Sequence, residues 1–349
     1  MTITAVIMHT AGAGSTGGPL QRVANRPIVC HVLDQLQPAG VDKATLVVPR
    51  WDLDELRESV LADGPQGLEV TYVTYGHDRT FDDALGAVAD LVGEGSCLIH
   101  ASDGLPTEPL ADLLRTFDRD APPALAAFVH RSLGGSTTLA TRRLLRSFGH
   151  PFNGESLELA SVCMLGPGAL RRAGTSRWWQ SGRLELTSLA ERLSNDGARI
   201  AIQPIDGWIQ YGGSTRQLLD LNRFLLDALP SDPASATRIN DGVNRIEGCV
   251  VVHPRARVES STIVGPAIVG ADASVLNAYI GPFTSIGAGV RVEGAEIERS
   301  IILPGASITH IGGRLVGSVV GRDALVFRDF SLPRALRLNV GDGGEVALC

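Results

Sequence analysis

Short apolar runs alternate with amphipathic stretches through the first part of the chain, the signature of βα units and a mostly parallel sheet. Thr4–Met8 reads as a first strand, followed by a glycine-rich loop through Gly12 and Gly14. A helix is expected from Pro27, a suitable first helical residue, to Leu36. Ala44–Val48 is a second strand, and Asp52–Leu61 a helix with acids in its first turn, where the helix dipole favours them. Leu68–Thr74 and Phe81–Val92 repeat the unit, and a fourth strand, Ser96–His100, ends at Ala101-Ser102-Asp103-Gly104. Further strands are expected at Ala124–Val129 and near Ala160–Met164, with helices at Leu186–Asn195 and Ser214–Leu229.

Around Pro230-Ser231-Asp232-Pro233 the grammar changes. From about Gly248, aliphatic residues recur six apart: Val252 and Val258, Val269 and Val275, Ile280, Ile286 and Val292, Ile302 and Ile308. Such repeats build a parallel β-helix, because each aliphatic residue points inward and stacks on its equivalent one strand away. An ordinary β-sandwich is the alternative, and the spacing survives several register breaks that a sandwich would not preserve. The expected organisation is an α/β, doubly wound, Rossmann-like domain over 1–235 and a left-handed β-helix of hexapeptide repeats over 236–349.

A chain of 349 residues with 44% hydrophobic and 20% charged residues is an ordinary globular protein. Its net charge of −7 leaves no basic excess to neutralise phosphates, which argues against nucleic acid or an anionic membrane as partner. No apolar run is long enough to span a bilayer, and the N-terminus has no basic segment of the signal-peptide kind. Five scattered cysteines without metal-ligand spacing suit a reduced, cytoplasmic protein. Lys43 is the only lysine in the chain.

The segment Gly242-Val243-Asn244-Arg245-Ile246-Glu247-Gly248, with Val251-Val252-His253-Pro254 and Tyr279-Ile280-Gly281-Pro282, resembles the tail of long-form glucose-1-phosphate thymidylyltransferases. Val23-Ala24-Asn25-Arg26-Pro27-Ile28 resembles that family's Val-Ala-Asn-Lys-Pro-Ile. Gly182-Arg183-Leu184-Glu185-Leu186-Thr187 resembles its Gly-Glu-Leu-Glu-Ile-Thr. The likeness covers nearly the whole chain. It implies a sugar-1-phosphate nucleotidylyltransferase, in which a sugar 1-phosphate attacks a nucleoside triphosphate while Mg²⁺ and basic side chains hold the polyphosphate. Nucleotide and sugar phosphate are the implied ligands.

The residues that such chemistry needs are altered here. The loop retains Gly12 and Gly14 as candidate phosphate-cradling positions but carries neither the family's arginine nor its lysine. The metal-binding aspartate of Leu-Gly-Asp-Asn is retained as Asp103. The second, from Trp-Leu-Asp-Thr-Gly, falls at Gln210. The sugar-phosphate lysine falls at His150, and Glu185 stands where a sugar hydroxyl would be met, or equally serves as a dipole partner near the start of a helix. The expectation is a divergent homologue that has lost ordinary nucleotidyl transfer and acts as a pseudoenzyme or a repurposed enzyme. The alternative is an active thymidylyltransferase-like enzyme with an unusual site.

His9 ends the first strand, while His100 and Asp103 end the fourth. A sheet of order 3-2-1-4 makes those strands neighbours at the switch point, where ligands bind. His9, Asp103 and His150 are therefore the candidate catalytic residues, with a His9–Asp103 pair as general acid/base or metal site; the plain alternative is that His9 fills space left by lost glycines. Cys163 reads as core, and the Trp178-Trp179 pair as a cap on a core or interface. The β-helix shows no acyltransferase signature, since His253 and His310 sit inside coils, and its flat aliphatic faces suggest assembly into a homo-oligomer.

Overall fold

The computed structural model describes residues 3–9, 20–78, 80–115, 117, 122–131, 137–147, 156–174, 178–180, 183–229 and 243–329. The chain divides into two compact units, Met1–Ala228 and Leu229–Cys349.

The first unit opens with β1 (Ile3–Met8), the short strands β2 (Arg22–Val23) and β3 (Arg26–Pro27), and α1 (Ile28–Asp34). Pro27 caps α1 rather than sitting inside it. Then follow β4 (Lys43–Pro49), α2 (Leu53–Asp63), β5 (Glu69–Tyr75), α3 (Phe81–Val92), β6 (Ser96–His100) and β7 (Gly104–Pro106). Next come α4 (Leu110–Arg115), β8 (Leu125–Arg131), α5 (Leu139–Ser147), β9 (Leu157–Leu165) and α6 (Ala169–Ala173). Two short strands, β10 (Trp179–Gln180) and β11 (Arg183–Leu184), lead to α7 (Leu186–Asn195), β12 (Ile200–Pro204), β13 (Trp208–Gln210) and α8 (Thr215–Asp227).

Seven strands form one sheet of order β12-β8-β9-β6-β1-β4-β5. The run β5-β4-β1-β6 is parallel and has the expected 3-2-1-4 order. β9 differs: it runs antiparallel to both β6 and β8. Its first residue, Leu157, pairs with Arg131 at the end of β8, so the chain re-enters the sheet at the edge where it left. The central strands are buried and mostly apolar, as suits strands covered on both faces; β1 exposes only Thr4 in part. Helix α3 shows how local sequence sets an element. The Thr80 hydroxyl accepts the Asp83 backbone N–H while the Asp83 carboxylate accepts that of Thr80, a capping box. Ala84, Leu85 and Val88 then fall on one buried face. Cys163 lies in this core, its thiol pushed far up by burial, and Trp178 is buried with its indole N–H donating to the Gly174 carbonyl at 2.9 Å.

The second unit is a left-handed parallel β-helix. Its first coil contains β14 (Arg245–Glu247), β15 (Val250–Val252) and β16 (Arg257–Glu259), and successive coils stack into three five-stranded parallel sheets. Three aliphatic ladders fill the bore. Ile246, Ile263, Ile280, Ile297 and Leu315 form one. Val252, Val269, Ile286, Ile302 and Val320 form the second, and Val258, Val275, Val292, Ile308 and Val326 the third. The spacing of six in the sequence is the step from one face of a coil to the next. Corners turn through left-handed backbone, and residues that tolerate it stand there: Asp272 at φ 57°, Asn277 at φ 47° and Gly294 at φ 57°.

Candidate functional site

Ligands of an open α/β sheet bind beyond the carboxyl ends of its strands, at the switch point. Here that point lies between β1 and β6, with β4 flanking β1 on its other side, so the groups at those three ends define the candidate site.

Asp103 is presented by a tight turn after β6. Ser102 adopts left-handed backbone, φ 49°, and two bonds hold it there. Its N–H donates to His100 Nδ1 at 2.9 Å, and its hydroxyl donates to the Met8 carbonyl at 2.7 Å, tying the turn to the end of β1. Because His100 Nδ1 accepts, the ring proton sits on Nε2. Burial pushes this imidazole down to about 3, so it is neutral at physiological pH. His100 lies against the Trp208 indole with ring centroids 5.3 Å apart.

The turn carries Asp103 towards the two-stranded ribbon of β7 and β13, in which Gly104 pairs with Gln210. Gly104 permits this approach: a Cβ there would lie 2.6 Å from both the Ile209 carbonyl oxygen and Trp208 Nε1. Gln210 Nε2 donates to Asp103 Oδ2 at 3.2 Å and reaches the Ser161 hydroxyl at 3.5 Å, while the Tyr211 N–H donates to the Asp103 carbonyl at 2.6 Å. The two positions that the sequence reading assigned to the metal-binding pair are thus brought together, one as a carboxylate and the other as an amide.

Mg²⁺ takes near-octahedral oxygen ligation and is usually held by carboxylates and substrate phosphates. In this structure the Asp103 carboxylate faces an amide N–H, a group that cannot ligate. Among the described residues no three His, Cys, Asp or Glu side chains converge as a metal site would need. The residues present do not fit a two-aspartate Mg²⁺ site.

His9 does not pair with Asp103. Its Nε2 lies 2.7 Å from Asp52 Oδ2, just past the end of β4, and its backbone N–H donates to the Val47 carbonyl at 2.9 Å. Burial lowers the His9 pKa, and the hydrogen bond and charge of Asp52 offset part of that shift. The other ring nitrogen, Nδ1, is buried without a hydrogen-bond partner among the described residues. Asp52 was not singled out from the sequence, although the 3-2-1-4 order already made the end of β4 a neighbour of β1. Beside it lie Trp51, 65% exposed, and Tyr75, whose rings meet edge to face at 6.4 Å.

Glu185 precedes α7 and makes no side-chain cap bond, so the dipole-partner role is not expressed as a cap. Gly12, Gly14 and His150 lie outside the described residues. Lys43 begins β4 at the amino-terminal edge of the sheet, where it pairs with Glu69 at 3.0 Å. No helix among the described residues is long and apolar enough to cross a membrane.

No family model matches the chain. Over 339 residues it is 31% identical to a glucose-1-phosphate thymidylyltransferase of Streptomyces antibioticus, covering 94% of this chain and 93% of that protein. It is 29% identical over 327 residues to a glucose-1-phosphate thymidylyltransferase of Streptomyces griseus, covering 92% and 90%. It is 26% identical over 364 residues to the low-salt glycan biosynthesis nucleotidyltransferase Agl11 of Haloferax volcanii, covering 98% and 99%. Extensive full-length identity, the switch-point sheet and the β-helix agree: the chain belongs to the sugar-1-phosphate nucleotidylyltransferase family, as a divergent member.

Proposed function

We propose that this protein retains the nucleotidylyltransferase scaffold as a receptor for a nucleotide or phosphosugar and has given up ordinary nucleotidyl transfer, serving as a pseudoenzyme or a repurposed enzyme. The observation that carries this reading is the Gln210 amide donating to Asp103 at the place of a second carboxylate. The single lysine adds support, since its ion pair with Glu69 sits at the opposite edge of the sheet from the strand carboxyl ends.

Removing one preorganised electrostatic group typically costs a factor of about 10²–10³ in rate. Losing two takes an ordinary turnover of about 10 s⁻¹ to roughly 10⁻³ s⁻¹ or below, even allowing for non-additivity. Pyrophosphate release from dTTP or UTP with glucose 1-phosphate and Mg²⁺ is therefore expected to stay at or below that level. Calorimetry with dTTP, UTP and dTDP-glucose is expected to show binding that does not require Mg²⁺. Robust pyrophosphate release would overturn this reading in favour of an active thymidylyltransferase-like enzyme. The β-helix is assigned to self-association, and a monomeric mass by light scattering would contradict that assignment.

A further inference from the structure

We propose that His9 and Asp52 form a proton-transfer dyad that activates water to hydrolyse the phosphoanhydride of a bound nucleoside diphosphate sugar. This rests on the reading that the pocket still takes nucleotide sugars, and it adds a reaction to that pocket.

Asp52 Oδ2 accepts the proton of His9 Nε2 across 2.7 Å, which leaves the lone pair on Nδ1. His9 is only 6% exposed, and Nδ1 has no partner among the described residues. A buried acceptor that no described residue serves suits a donor from outside, and a water or hydroxyl is the smallest. The ring stands at the end of β1, the central strand of the switch point, directly before the glycine-rich segment. Asp52 is the one ionisable neighbour acting on His9 among the described residues. The dyad is therefore a neutral base backed by a single carboxylate, the arrangement in which the second group orients the first and stabilises the imidazolium. The exposed Trp51 indole, one residue from Asp52, offers a face for a sugar or base ring.

The chemistry of the nucleophile selects the reaction. A sugar 1-phosphate is already an anion and needs no base to attack a nucleotide. A histidine–aspartate dyad has a task only where the nucleophile carries a proton. In the step assigned here, water gives a proton to His9 Nδ1 as its oxygen bonds to a phosphorus of the diphosphate. The bridging P–O bond breaks, and its oxygen leaves as a phosphate monoester anion that needs no proton. His9 then releases its proton to solvent. The products are a nucleoside monophosphate and a sugar 1-phosphate, with no oxidant, reductant or second substrate.

The test is ³¹P NMR of the full chain with dTDP-glucose in H₂¹⁸O, with binding read in parallel by calorimetry. Expected is slow formation of dTMP and glucose 1-phosphate, one of them carrying one ¹⁸O. His9→Ala is expected to lower the rate by about 10²–10⁴-fold, with partial rescue by added imidazole. Asp52→Asn tests positioning: it removes the carboxylate that raises the His9 pKa, so the acid limb of the pH–rate profile moves to lower pH. Binding without hydrolysis, or hydrolysis that His9→Ala leaves unchanged, overturns the dyad while the receptor reading stands. No binding of dTDP-glucose overturns both.

Discussion

The Gln210 carboxamide donates a hydrogen bond to the Asp103 carboxylate at 3.2 Å, joining residues 107 positions apart in the chain. An aspartate at position 210 would turn that attraction into a repulsion between two carboxylates. Gln210→Asp is expected to lower stability by about 1–3 kcal/mol in metal-free buffer. Mg²⁺ should then restore it, because a divalent cation binds the native pair and not the unfolded chain. Thermal melts with and without Mg²⁺ check this: a Mg²⁺-dependent rise in Tm is expected for the variant and none for the parent.

Gly104 lets the β7–β13 ribbon close. Gly104→Ala places a methyl 2.6 Å from the Ile209 carbonyl oxygen and from Trp208 Nε1, and backbone on that side cannot yield cheaply. The expected cost is about 1–3 kcal/mol in urea denaturation, as for overpacking elsewhere. Because the clash parts Gln210 from Asp103, calorimetric binding of nucleotide sugar should weaken with it.

His100 should make the protein acid-sensitive. Its folded pKa is about 3, below the ordinary 6.5, so the unfolded chain binds the extra proton between those values. Stability is fully present above pH 6.5 and falls as pH drops through that window, by about 1.4 kcal/mol per pH unit for this one group. His9, His31 and His130 are shifted in the same direction by burial and add to the trend. His100→Gln retains an acceptor for the Ser102 N–H and removes the titration. Its stability should therefore fall less steeply between pH 6 and pH 4 in equilibrium denaturation.

In the β-helix, Ile280 is fully buried between Ile263 and Ile297 of the same ladder. Ile280→Ala is expected to cost about 2–5 kcal/mol and Ile280→Val about 0.5–1.5 kcal/mol. A coil packs only on its neighbours, so the loss should appear in hydrogen exchange first at the coils containing Ile263 and Ile297.

Much of the architecture was legible in the residues. Phe81–Val92 and Ser96–His100 have the bounds expected from periodicity, and the β-helix ladders contain the aliphatic positions read at six-residue spacing. The antiparallel course of β9 was not legible, because an apolar run buried on both faces reads alike in either direction. Within the site, the juxtaposition of Asp103 and Gln210 followed from motif positions, whereas the partner of His9 did not.

The sequence by itself determined features that depend on repetition or on near neighbours: βα alternation, the stacked aliphatic coils and the single lysine at the start of β4. Each follows from a local period or from one residue's place on a strand. Only the tertiary structure decided which polar groups meet. Ser102 turns through left-handed backbone and delivers Asp103 to Gln210, while the ring of His9 meets Asp52 beyond the neighbouring strand. Hydrogen bonds form or fail over a few tenths of an ångström and a few tens of degrees, and side-chain directions at strand ends are set by packing from distant segments. That packing has no signature in the spacing of residues along the chain.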